Sequence, residues 1–86
     1  LTQVVESTDP SATARHFWAV LSKGGRAAPF PNGRGDRVRF DDGSLVVFRT
    51  RTTTTGSPAI EISITSTKLG LPPYQKIHFV KKGSWT

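Results

Sequence analysis

Arg37-Val38-Arg39-Phe40-Asp41-Asp42-Gly43-Ser44-Leu45-Val46-Val47-Phe48 decides the fold. Two short runs rich in β-branched and aromatic residues flank Asp-Asp-Gly-Ser, a cluster of turn formers, so the stretch predicts a β-hairpin. With Asp42 and Gly43 as a two-residue loop, Phe40 faces Leu45 and Val38 faces Val47. Downstream, Ala59 to about Thr65 alternates Ile60, Ile62 and Ile64 with Glu61, Ser63 and Thr65. Lys76 to Val80 alternates Ile77 and Phe79 with Lys76 and His78. Period two places the aliphatic set of each strand on one face and the chemistry on the other.

Upstream, Asp9-Pro10 reads as a helix start, with Asp as N-cap and Pro at the first helical position, where its missing N–H costs nothing. Ala14, Phe17, Trp18 and Leu21 follow at the spacing of one buried helical face, and Gly24-Gly25 supplies a stop, which predicts a helix over residues 10–23. Residues 24–35 are rich in Gly and Pro and read as a linker, with Asn32-Gly33-Arg34-Gly35 as a basic loop. A helix with one apolar stripe must bury it. The expectation is therefore an α+β fold, an N-terminal helix packed on a four-stranded antiparallel β-sheet whose polar, basic face stays open. Residues 1–86 form a single domain in this reading. Residues 1–8, an extension or a first strand through Gln3-Val4-Val5, and residues 81–86 are expected as flexible extensions.

The chain has 86 residues, so its core is small and its stability must come from packing. Without cysteine it has neither disulfides nor a thiolate zinc site, and two well-separated histidines with six acids offer no metal cage, so metal-free chemistry without a cofactor is expected. No apolar run approaches the roughly 20 residues that span a bilayer, and no leader is visible. The absence of methionine and the start at Leu1 suggest a piece of a larger, secreted protein. Net charge is +6, of which residues 44–86 carry +5, from six Lys and Arg against the lone acid Glu61. Such a field points to a polyanionic partner. The cations lie on strands rather than on an amphipathic helix, which favours nucleic acid over membrane.

Cleavage of RNA without a metal requires a base for the 2′-hydroxyl, an acid for the leaving oxygen and cations around the phosphate. Glu61 and His78 are the candidate base and acid, on the polar face of neighbouring strands. The plain alternative pairs Glu61 with Lys76 across the strands and leaves His78 a surface residue. Arg49 and Arg51, two residues apart, offer phosphate-binding forks, unless they are ordinary exposed strand residues. By parity they share the face of Leu45 and Val47, which requires a bulge near Thr50 or emergence at the sheet edge. Arg37 and Arg39 fall on the opposite face and contribute field. Thr52, Thr53 and Thr54 supply hydroxyls and amides for an anionic oxygen, Lys76 and Lys23 further cations. His16, on the helix, is a reserve acid or base, or a boundary residue. Tyr74 and Trp85 are either base-stacking or packing residues.

Asp42-Gly-Ser-Leu-Val-Val-Phe-Arg49, the Thr run, Gly56-Ser-Pro-Ala-Ile-Glu-Ile62 and Gln75-Lys-Ile-His-Phe79 together resemble the C-terminal toxin modules of bacterial polymorphic toxins, the contact-dependent inhibition and Rhs types included. Within these the chain looks like the small ribonuclease toxins of the barnase, EndoU, colicin and RelE-like group, over about residues 12–80. The resemblance implies a helix followed by a four-stranded antiparallel sheet with the site on its open face. It also implies a secreted or cell-surface delivered toxin acting in the target-cell cytoplasm, RNA, often tRNA, as substrate, and a cognate immunity protein, here expected to be acidic. Arg49 then matches the strand arginine before the hydroxyl run, Thr52 to Thr54 the Ser/Thr positions, Glu61 an acidic strand position and His78 a final-strand histidine. The expectation is a monomeric, metal-independent endoribonuclease leaving a 2′,3′-cyclic phosphate. The alternatives are a noncatalytic basic module that binds RNA or an acidic protein, and a toxin acting on a nucleotide or NAD.

Overall fold

A computed structural model describes residues 2–28, 35–50, 57–64 and 73–82. Six strands and one helix follow one another as β1 (Thr2–Ser7), α1 (Pro10–Leu21), β2 (Arg26–Ala28), β3 (Gly35–Arg39), β4 (Leu45–Arg49), β5 (Ala59–Ser63) and β6 (Tyr74–Lys81). They build one mixed sheet in the order β1-β6-β5-β4-β3-β2. Strands β2 to β6 form an antiparallel meander, and β1 closes its far edge parallel to β6, Val5 opposite Phe79.

This corrects the expected four-stranded antiparallel sheet with an N-terminal helix. Residues 2–7, left between a flexible extension and a first strand, are a strand, and residues 26–28, read as linker, are another. The physical reason is long range: β1 meets β6 more than seventy positions away in the chain, and no local pattern in residues 2–7 records that pairing. Lys81, also placed in an extension, ends β6, and the Lys82 N–H donates to the Ser7 carbonyl at 2.8 Å.

Helix α1 starts as its sequence dictates. The Asp9 carboxylate accepts from the Ala12 N–H at 3.2 Å and Pro10 opens the first turn. The Ser7 hydroxyl, 2.6 Å from that of Thr13, ties the end of β1 to the helix. The helix ends at Leu21, two residues short of the prediction, and Gly24 then takes a positive φ of 86° that side-chain-bearing residues avoid. Its inward face is the expected one. Ala14 is fully buried, Phe17 meets Phe79 edge-on at 5.1 Å, and Trp18 stacks on Phe48 at 5.7 Å. Beneath it lie Val38, Val46, Phe48, Ile60, Ile77 and Phe79, with Val5, Phe40 and Ile62 at the margin. α1 is too short to cross a membrane.

The hairpin that decides the fold closes differently from the two-residue expectation. The Phe40 N–H donates to the Ser44 carbonyl at 2.9 Å, and the Gly43 N–H to the Phe40 carbonyl at 2.9 Å. Residues 41–43 thus form a three-residue loop, with Gly43 at φ 89° and the Asp42 carboxylate accepting from the Ser44 N–H at 2.8 Å. That bond holds the Asp42 carboxyl below its ordinary value. Val38 consequently faces Val46, and Arg37 faces Val47. A one-residue change of register moves every side chain to the other face.

Candidate functional site

The sheet buries one face under α1 and leaves the other to polar side chains. Three rows run across β4, β5 and β6 on that second face. The first is Arg49, Ala59 and His78, the second Val47, Glu61 and Lys76, the third Leu45, Ser63 and Tyr74. Arg49 and His78 therefore flank the small, fully buried Ala59, two strand spacings apart, roughly 10 Å between backbones. Glu61 stands one row away, about 7 Å along the strand.

Glu61 is the hub. Arg49 Nε donates to its Oε2 at 2.5 Å and the Tyr74 hydroxyl to its Oε1 at 2.5 Å. The Glu61 side chain is 16% exposed and that of Arg49 43%. Burial works to raise the Glu61 carboxyl, but the hydrogen bonds from Tyr74 and Arg49 and the charges of Arg49 and Lys76 outweigh it, and its pKa lies below the ordinary 4.5. The same contacts act in reverse on the phenol. Burial, the hydrogen bond to Glu61 and the carboxylate charge push Tyr74 up to about 12. Near neutrality the site thus holds a carboxylate and a neutral phenol.

Lys76 is the direct cross-strand neighbour of Glu61 and acts on it through its charge, while the hydrogen-bonded ion pair is made by Arg49. His78 is half-buried on the same face, and its Nδ1 is buried without a hydrogen-bond partner among the described residues. Arg49 needs no bulge near Thr50 to reach this face. The ladder runs unbroken to Arg49, and the face of Leu45 and Val47 is itself the polar one, because Val46 and Phe48 supply the core.

The structure thus brings together Arg49, Glu61, Lys76 and His78. It does not bring His16 to them, because α1 packs on the opposite face of the sheet, where His16 borders a shallow apolar groove with Phe17, Val20 and Leu21. Lys23 sits in the turn between α1 and β2, at the sheet edge remote from β6. Arg51, Thr52, Thr53, Thr54 and Trp85 lie outside the described residues.

The structure gives two groups a place that the sequence reading did not. Tyr74 belongs to the face of Lys76 and His78, as the period of two shows once β6 is started at Tyr74 rather than at Lys76. Arg37 and Arg39, assigned to the opposite face, share the face of Glu61, because the loop has three residues where two were expected. Among the described residues no group of three His, Cys, Asp or Glu side chains is placed to hold a metal ion. No protein-family model, curated protein or solved structure matches this chain.

Proposed function

We propose that this chain is a metal-independent endoribonuclease, a delivered toxin module that cleaves RNA, tRNA foremost, by attack of the 2′-hydroxyl on the adjacent phosphorus. The observation that carries the reading is the first two rows of the open face, in which Arg49 and His78 flank one small residue with Glu61 next to both. A phosphate seated between Arg49 and His78 meets a guanidinium on one side and an imidazole on the other, with a carboxylate in reach of the neighbouring ribose. Glu61 takes the proton of the 2′-hydroxyl, the 2′-oxygen bonds to phosphorus, and the bond to the 5′-oxygen breaks. His78 protonates that oxygen, and the products are a 2′,3′-cyclic phosphate and a 5′-hydroxyl. Arg49 and Lys76 offset the charge that develops on the phosphoryl oxygens. The buried Nδ1 of His78, without a hydrogen-bond partner among the described residues, supports the assignment, since an unsatisfied polar atom costs stability and such atoms recur where function demands them.

The test is incubation of the purified protein with total RNA in EDTA, with fragment ends mapped. Discrete fragments ending in cyclic phosphates, lost by at least about 10²-fold in His78→Ala with the fold intact, are expected. RNA left whole, or cleavage undiminished in that variant, refutes the mechanism. One observation favours a second reading, a noncatalytic anion-binding face. Both oxygens of Glu61 are engaged by Arg49 and Tyr74, and its lowered pKa makes it a weak base. Binding of RNA without any cleavage is the outcome that selects it.

A producing cell must neutralise such an enzyme, and the reading therefore includes an acidic inhibitor that covers the Arg49–Lys76 face. Its association slows as salt rises, and it excludes RNA competitively.

A further inference from the structure

The second and third rows continue beyond β4 to the far edge of the sheet. On β3 they reach Arg37 and Arg39, and on β2 Arg26 lies directly opposite Arg39. Like charges opposite each other across a strand pair cost stability. The Asp41 carboxylate meets Arg26 at 3.5 Å, but both side chains are more than four-fifths exposed, so this contact offsets little of the repulsion. Between these arginines and the Glu61 cluster lie only Leu45 and Val47 of β4 in those two rows. The open face therefore has two charged ends and an apolar floor between them, with β3 roughly 10 Å from β5.

We infer that Arg26 and Arg39, both exposed, hold phosphates of a single-stranded nucleic acid that runs from the Glu61–His78 cluster across β4 to the β2 edge. The inference rests on the proposed ribonuclease reading for the direction of the strand, and it adds a second, noncatalytic binding region. Charge complementarity selects the occupant: two functional ends separated by an apolar floor suit a chain of alternating phosphates and flat bases, with phosphates at the arginines and a base over the half-buried Leu45, beside the buried Val47. Tyr74, 42% exposed at the far end of the third row, presents an aromatic ring of the kind on which unpaired bases stack. Among the described residues no helix packs on this face, since α1 lies on the other, and an extended single strand has room to lay its bases flat.

The experiment measures binding of single-stranded 2′-deoxy oligonucleotides, which have no 2′-hydroxyl to attack, against salt concentration. A dinucleotide is compared with a decanucleotide for wild type, Arg39→Gln and Arg15→Gln. Arg15 is exposed on α1, on the other side of the sheet, and its substitution removes the same charge. Each phosphate contact on a single strand contributes about 0.7 to the slope of log affinity against log salt. Arg39→Gln is expected to lower the decanucleotide slope by roughly that amount, to leave the dinucleotide unchanged, and to keep the native circular dichroism spectrum. Arg15→Gln is expected to leave the slope as it is. Equal effects of the two substitutions, or equal binding of the two oligonucleotides by the wild type, overturn the track. Loss of decanucleotide binding in Arg39→Gln by a protein that does not cleave RNA upholds the track and removes the catalytic reading, so the two fail separately.

Discussion

Tyr74 is the chain's only tyrosine, so the ultraviolet absorbance of tyrosinate reports its ionisation alone. In the folded protein it should titrate near pH 12 instead of 10.0, because burial, the hydrogen bond to Glu61 and that carboxylate's charge all favour the neutral phenol. A rise of that size corresponds at most to about 2.7 kcal/mol. Tyr74 is 42% exposed, and solvent screening reduces the contribution to ~1 kcal/mol. The sign follows from proton uptake. The folded state holds the proton more tightly, so the contribution is complete below pH 10 and is lost as pH rises through about 12. Glu61→Gln removes the charge but keeps the shape and an acceptor. The Tyr74 midpoint should then fall part of the way towards 10.0 and stop above it, because burial, the largest cause, remains. Circular dichroism along the titration separates ionisation in the folded state from ionisation after unfolding. A folded wild type that titrates near 10, or a midpoint indifferent to Glu61→Gln, would refute the description of this site.

Three further outcomes follow from the same geometry. The lowered pKa of Glu61 supplies stability that is present above its ordinary 4.5 and lost as pH falls through the folded value, so Glu61→Gln should flatten the acid limb of a urea-stability profile. An unchanged limb would mean that the Arg49 and Tyr74 contacts do not bias protonation. A Cβ on Gly35 would lie 1.9 Å from the Phe48 carbonyl oxygen, so Gly35→Ala should part β3 from β4 and cost about 3 kcal/mol in urea unfolding, and a loss below roughly 0.5 kcal/mol would contradict the close approach. Val5→Asp sets a carboxylate beside Phe79 and should destabilise by about 1–3 kcal/mol, whereas no change would return residues 1–8 to the status of an extension.

Much of the meander was legible because its signals are local. Asp9-Pro10, the Ala14 to Leu21 stripe and the alternations at residues 59–63 and 76–80 each depend on neighbours within a turn or a strand. The pairing of Glu61 with Lys76 as cross-strand neighbours follows from two such strands in antiparallel register. What failed depended on a loop length or on distant residues. Asp41-Asp-Gly-Ser44 accommodates a two-residue or a three-residue loop, and the choice decides whether Arg37 and Arg39 face Glu61 or α1. Tyr74 was undecided between stacking and packing because its partner, the Glu61 carboxylate, is thirteen residues away in sequence.

The sequence by itself determined which residues seek burial, where the helix begins and that a lone carboxylate must live among cations, because hydrophobic period, capping and charge are properties of the chain. Tertiary structure alone decided the rest. The addition of β1 at the edge, parallel to β6, comes from contacts between the two ends of the chain. The pairing of Glu61 with Arg49 and Tyr74 comes from side chains of three strands meeting on one face. The side of the sheet that holds the arginines of β3 comes from one residue of loop. Local interactions set the period of each strand, but register and partner are fixed only when the core closes and one face of every strand is taken out of water.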